Sequence, residues 1–276
     1  MWKTTKKSTL PELLRLSDPG IREQLQALPA SVVLIGVGAD GQPVCVDLDS
    51  ESPHVLVCTA GGGGTTTLLC TLAAQLLHHG AHAVFIDPKR VSHRWAKGLP
   101  TVTYRADLAD IHDALVGLRS ELQRRIDHVD QHGDTDDLPR LTVVFERADH
   151  TLRQLARYWD TVRQEDDPKT SPAVDALHEL LFAGREIRIH VLFDGYPTAR
   201  SLGQGGHEQF HTMVLGRVST STYNRLAPQI GTAPKSSTHP GRFHVVQGLT
   251  AHQTQVLLLT EAEAAAWVAA TAAGEN

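Results

Sequence analysis

Apolar residues along the chain alternate between two rhythms, short dense runs and longer stretches spaced by three or four. Runs at 32–37 and 44–48 flank Ala39-Asp40-Gly41-Gln42, whose Asp-Gly step marks a hairpin turn. A further run at 55–59 reads as a buried strand, and Leu68, Leu69, Leu72, Leu76 and Leu77 follow at helical spacing. The same alternation continues down the chain. Strands are expected at 83–86, 101–104, 141–145, 187–193, 213–218 and 243–247. Helices are expected at 152–162, 174–183 and 261–271, and from Leu108, where Leu108, Ile111, Leu115, Leu118, Leu122 and Ile126 form one apolar stripe. Arg124 and Arg125 then fall near that helix's C-terminal end, where cations suit the helix dipole. Strand-helix alternation of this kind predicts an α/β fold, a mainly parallel sheet with helices on both faces.

The first thirty residues break the rhythm. Leu10, Leu13, Leu14 and Leu16 can share a helical face, Asp18-Pro19-Gly20 interrupts it, and a second short helix fits 21–28. The expected organisation is a short N-terminal helical extension, 1–30, ahead of one large domain, 31–276. The extension either packs on that domain or tethers a partner.

The rest of the chain is arranged around the join between the 55–59 strand and its helix. There the sequence reads Thr59-Ala60-Gly61-Gly62-Gly63-Gly64-Thr65-Thr66-Thr67. Strand, glycines, hydroxyl residues and helix, in that order, describe a phosphate-binding loop. Glycines let backbone N–H groups turn inward, and the helix N-terminus favours an anion. A plain flexible turn is the competing reading. Against the phosphate-loop pattern, Thr65 stands where Lys is required and Thr59 where the first Gly is required. Thr66 keeps the magnesium-ligand position. The cradle is retained and its fixed positive charge is not.

Composition narrows the partners. The 276 residues are 41% apolar and 21% charged, as in soluble domains, and the net charge of −5 gives no global nucleic-acid signature. Cys45, Cys58 and Cys70 lie in apolar surroundings, which suits small buried hydrophobes in a reducing, cytoplasmic setting. Lys3, Lys6 and Lys7 precede no apolar run, which argues against a signal peptide, and no stretch is long enough for a membrane span. His54, His78, His79, His93 and His190 lack ligand spacing, so surface or capping roles are expected of them. Trp95, Trp159 and Trp267 are expected to be packing anchors.

From about Val33 to Gln247 the chain resembles the motor domain of the FtsK/SpoIIIE family. These are P-loop ATPases that pump DNA or drive type VII protein secretion. The most specific match is Ile86-Asp87-Pro88-Lys89-Arg90-Val91. The segment from Ile35 to Val44, and Gly184-Arg185 with Ile189-His190, resemble the family at the corresponding places. The resemblance implies a RecA-like P-loop NTPase, ATP with Mg²⁺, a ring of related motor subunits, and DNA as a partner. It implies nucleotide contacts at Gly61, Gly62, Gly63, Gly64, Thr65, Thr66, Thr67, Asp87 and Lys89, with Thr66 as the metal ligand and Glu146 as the catalytic base.

The departures fall on the chemistry. The family's Walker B Asp-Glu followed by Leu-Ala-Asp is here Phe145-Glu146-Arg147-Ala148-Asp149, and its sensor Ala-Thr-Gln-Arg-Pro is Phe193-Asp194-Gly195-Tyr196-Pro197. Altered together, these motifs suggest a degenerate, pseudo-ATPase module that binds a nucleotide or a partner, with hydrolysis weak or lost. An active ATP-dependent translocase with an unusual loop is the alternative. Glu146 could instead pair with Arg147 or Arg185, and Asp87 and Lys89 could form a structural ion pair. Arg217 and Arg225 could touch a phosphate or a neighbouring subunit, or simply be solvated.

Overall fold

The computed structural model describes residues 10–50, 52–203 and 205–272. The three lysines of the N-terminus lie outside them. In chain order the elements are β1 (Leu14–Arg15), α1 (Ile21–Ala27), β2 (Val32–Gly38), β3 (Pro43–Asp47), β4 (His54–Thr59), α2 (Thr65–His78), β5 (His82–Ile86), β6 (Val102–Arg105) and α3 (Leu108–His132). Then come β7 (Leu141–Phe145), α4 (Ala148–Val162), α5 (Pro172–Ala183), β8 (Ile189–Asp194), α6 (Ala199–Leu202), β9 (Thr212–Gly216), α7 (Thr220–Leu226), β10 (Arg242–Gln247), β11 (Thr250–Leu258) and α8 (Glu261–Ala272).

One sheet organises them, in the order β3-β2-β11-β10-β9-β4-β8-β7-β5-β6, with β1 added alongside β11. From β9 to β6 every pairing is parallel. From β9 to β3 every pairing is antiparallel. Apart from the edge strand β6, the parallel strands from β9 to β5 are buried on both faces, which is why they read as continuous apolar runs. One face packs Ile111, Leu115, Leu152, Leu155, Leu177 and Leu180 from α3, α4 and α5 against Leu56, Val143 and Val191. The other packs Leu68, Leu69, Leu72 and Leu76 of α2 against Val55, Val57, Phe85 and Val144. The mainly parallel α/β sheet with two covered faces is therefore as expected.

Three expectations need correction. Residues 10–16 are not a helix: Leu14 and Leu16, two apart, are the buried pair, and Leu14–Arg15 forms a strand in register with Leu257 and Leu258. The end of β11 that runs past β2 and β10 supplies backbone partners that an isolated turn of helix cannot match. Arg124 and Arg125 lie well inside α3, which runs on to His132 and is capped by Gly133 at φ 85°. Arg125 is buried and donates to the Ile187 and Arg188 carbonyls. His54, His93 and His190 are fully buried rather than at the surface. Trp267 is buried as expected, and Trp95 meets Phe85 edge-on at 5.8 Å. Among the described residues no helix is long and apolar enough to cross a membrane.

Candidate functional site

The strands β4, β8, β7 and β5 end together at one edge of the sheet, where ligands of open α/β folds bind. β4 runs into the glycine loop. Gly62 has φ 74° and Gly64 has φ 98°, backbone that L side chains rarely adopt, and Gly64 opens α2. Gly63 is required for another reason: a Cβ there would lie 2.4 Å from Thr59 Oγ1. The loop wraps the Thr59 side chain, and Thr59 Oγ1 lies 2.9 Å from Thr65 Oγ1. The two threonines that break the loop pattern thus touch each other. Their hydrogen bond braces the turn across the span where a lysine would reach.

A cavity of about 370 Å³ opens over this loop, lined by Thr59 to Thr66, Lys89, Arg147 and Asp194. It brings together Gly61, Gly62, Gly63, Gly64, Thr65, Thr66 and Lys89 as the sequence places them. Thr67 faces elsewhere, into an apolar slot of about 210 Å³ beside Phe243, Val256 and Leu257 that shares Gly62, Gly63 and Gly64 with the first cavity. Asp87 does not line the first cavity. It is fully buried and accepts from the Lys89 N–H (3.1 Å), the Ser92 N–H (2.7 Å) and the Tyr104 hydroxyl. Asp87 therefore shapes the turn that aims Lys89, and its tie to Lys89 is through the backbone rather than an ion pair.

Glu146 sits at the end of β7, fully buried, with its N–H bonded to Ile86 O at 3.0 Å. Its partners are neither Arg147 nor Arg185. Lys89 Nζ donates to Oε2 at 2.8 Å, and His93 Nε2 lies 3.2 Å from Oε1. Burial alone would raise its pKa, but His93, Lys89 and the Thr66 hydroxyl outweigh burial and bring it down to about 2. Asp194, at the end of β8, goes the other way. Burial pushes it up to about 6, against the Arg147 N–H that it accepts at 3.0 Å and with Glu146 nearby. Phe145, at the position of the family's metal-orienting Asp, is fully buried against Phe193, with ring centroids 6.3 Å apart. The glycine loop and its cations fit a chain of phosphates. The residues fit a magnesium ion less well, since Thr66 keeps its place and a phenyl ring replaces the carboxylate.

On the other side, a second cavity of about 340 Å³ shares Thr59, Ala60, Arg147 and Asp194 and extends to Arg217, Ser219 and Thr222. Arg217 Nη2 donates to Thr238 O at 2.7 Å, and the Arg225 guanidinium lies 3.7 Å from the centre of the Tyr196 ring. Sequence reasoning passed over Asp194, Arg147 and Thr59 as cavity residues. Their signal was present all the same, because each is a polar residue at a position where the family pattern carries another.

The fold and site define a P-loop ATPase-type domain. A family model described as the FtsK/SpoIIIE family matches residues 22–159. The chain belongs to that family. No curated protein sequence matches it. Among solved structures it is similar to the pCW3 conjugation coupling protein TcpA with ATPγS, with TM-score 0.72 and 19% identity, covering 93% of this chain and 72% of that one. It is also similar to EssC (ATPases 2 and 3) from Geobacillus thermodenitrificans, with TM-score 0.71, 16% identity and coverage of 92% and 46%. A third is EccC (ATPases 2 and 3) of Thermomonospora curvata in complex with a signal sequence peptide, with TM-score 0.66, 18% identity and coverage of 91% and 44%. The chain thus spans less than half of those EssC and EccC chains, and at these identities the likeness is one of fold.

Proposed function

We propose that this chain is a nucleotide-binding module of the FtsK/SpoIIIE type in which ATP hydrolysis is suppressed. In phosphoryl transfer the loop lysine and the metal neutralise charge as it develops, and a carboxylate orients the attacking water. The observation that carries the reading is the state of that carboxylate. Glu146 is out of solvent and held by Lys89 Nζ at 2.8 Å. Thr65 supplies no charge, and Phe145 supplies no second anchor for a metal. The glycine loop would hold the phosphates of ATP or ADP and the apolar slot by Phe243 the base, and Thr66 would be the side chain left for Mg²⁺.

Such a module works in the cytoplasm beside related motor subunits, in a ring that moves DNA in transfer or a polypeptide in secretion. The named neighbours support those two settings. Titration calorimetry with ADP and ATPγS tests binding, and single-turnover assays with ATP test hydrolysis. Binding without motor-like turnover is expected. Rapid turnover abolished by Glu146→Gln would favour the active translocase instead. One observation speaks for that second reading: Lys89 brings a cation into the same cavity.

A further inference from the structure

Among the described residues that line the two cavities, Arg147 has a charge that no side-chain hydrogen bond or ion pair uses. It follows Glu146 at the turn from β7 into α4, with φ 49°, and is exposed. Its backbone is pinned, because its N–H is held by Asp194 Oδ2 at 3.0 Å. Its carbonyl accepts from the Thr151 N–H and hydroxyl at 3.0 and 3.1 Å. Its guanidinium has no polar partner among the described residues. The carboxylates of this wall are engaged elsewhere: Asp149 pairs with Arg153 at 3.1 Å, Glu146 with Lys89, and Asp194 accepts from the Arg147 backbone. Arg147 stands in the wall common to the glycine-loop cavity and the cavity beyond it.

Position and charge decide what this arginine meets. The loop N–H groups and the N-terminus of α2 serve the phosphates nearest α2. Arg147 lines that cavity from the end of β7, a different strand from the one that leads into the loop, which leaves it the far end of a longer phosphate chain. Asp194 lines the same wall and repels an anion, so without a cation there a third phosphate would be rejected. We infer that Arg147 is the residue by which this domain prefers a nucleoside triphosphate to a diphosphate, doing from α4 what the absent loop lysine does from α2. The inference rests on the proposal that the loop binds nucleotide phosphates. An arginine-phosphate hydrogen bond is charge-assisted and geometrically selective, so the effect falls on the terminal phosphate alone.

The test is calorimetry of ADP and ATPγS, without added metal, on wild type, Arg147→Gln and Arg147→Lys, with urea unfolding as a check on the fold. All three side chains meet the same left-handed backbone, so strain is common to them. Arg147→Gln is expected to weaken ATPγS about tenfold and ADP less than about twofold, with Arg147→Lys in between. An unchanged ATPγS-to-ADP ratio in Arg147→Gln, with ADP still bound, overturns the inference and leaves the nucleotide reading standing. Equal weakening of both ligands marks Arg147 as structural and overturns it too. Absence of binding by either nucleotide to wild type overturns both. Should Arg147→Gln not fold, the ratio in Arg147→Lys decides.

Discussion

The two ends of the parallel sheet bury ionisable groups with opposite results. At the amino ends, His54 on β4 and His190 on β8 are enclosed and kept neutral. His54 Nδ1 accepts from the Val191 N–H at 3.0 Å while Nε2 donates to Leu181 O at 3.1 Å. His190 Nδ1 donates to Pro53 O at 2.9 Å and Nε2 accepts from Arg140 Nη1 at 3.0 Å. Burial comes first in pushing both pKa values down to about 3, and the Arg140 charge adds to it at His190. At the carboxyl ends, Glu146 is as deeply buried and stays charged. The difference lies in the partners. Burial, with the Arg140 guanidinium beside His190, favours a neutral imidazole against the pull of the carbonyls it donates to, whereas an imidazole, an ammonium and a hydroxyl overcome burial and favour a carboxylate. One end is a neutral staple and the other a charged lock.

Acid should separate the two ends most strongly. Below the ordinary histidine value of 6.5 the unfolded chain takes up protons that folded His54 and His190 refuse. Their contribution is therefore lost as pH falls from about 6.5 towards 3. Glu146 favours the fold above its ordinary 4.5, and its contribution is lost between there and about 2. Each group can add a slope of up to about 1.4 kcal/mol per pH unit in its own window. Urea unfolding against pH should show stability falling first in the histidine window, and His190→Gln should flatten that part alone. A decline confined to pH below 4.5 would contradict the neutral staple.

Breaking the lock comes next in size. Lys89→Met leaves a buried carboxylate short of its main cation and is expected to cost about 3 kcal/mol. Adding Glu146→Gln should recover most of it, a coupling that a double-mutant cycle reads directly. If the single substitution cost nothing, the pair would be no more than a surface contact.

The smallest effect concerns the threonine brace. Thr65→Lys alone must pass a loop already filled by Thr59, and it should raise ADP affinity less than about threefold. Thr59→Gly with Thr65→Lys opens the span and should raise it about tenfold. Calorimetry on the two variants distinguishes these outcomes, and equal gains would show that the brace is no obstacle.

Much of the fold was legible in advance. The apolar runs of β4, β5, β7 and β8 are each a whole strand of a doubly covered sheet, so periodicity found them. β11 was not, because Thr250-Ala251-His252-Gln253-Thr254-Gln255 reads as a polar loop. Thr254 and Gln255 are nevertheless fully buried, paired with β10 on one side and β2 on the other. Leu10 to Leu16 fits helical and alternating spacing alike, and the free end of that unseen strand, at Leu257 and Leu258, decided the matter. At the site, the glycine loop and Lys89 could be read from motif order, since adjacency in sequence and the strand-turn-helix path place them. The grip of Lys89 on Glu146, 57 positions apart, could not.

What the sequence determined by itself is the scaffold and its losses. A loop of glycines between a buried strand and a helix has the order of a phosphate cradle, and the missing lysine and carboxylate are local facts. Tertiary structure alone decided how the remaining polar groups are used: Lys89 on Glu146, Asp194 on the Arg147 backbone, Thr59 on Thr65, and the Arg147 side chain on no polar group among the described residues. Those choices depend on which strand ends lie side by side at one sheet edge. Hydrogen bonds and ion pairs act over a few ångströms of space, whatever the distance along the chain.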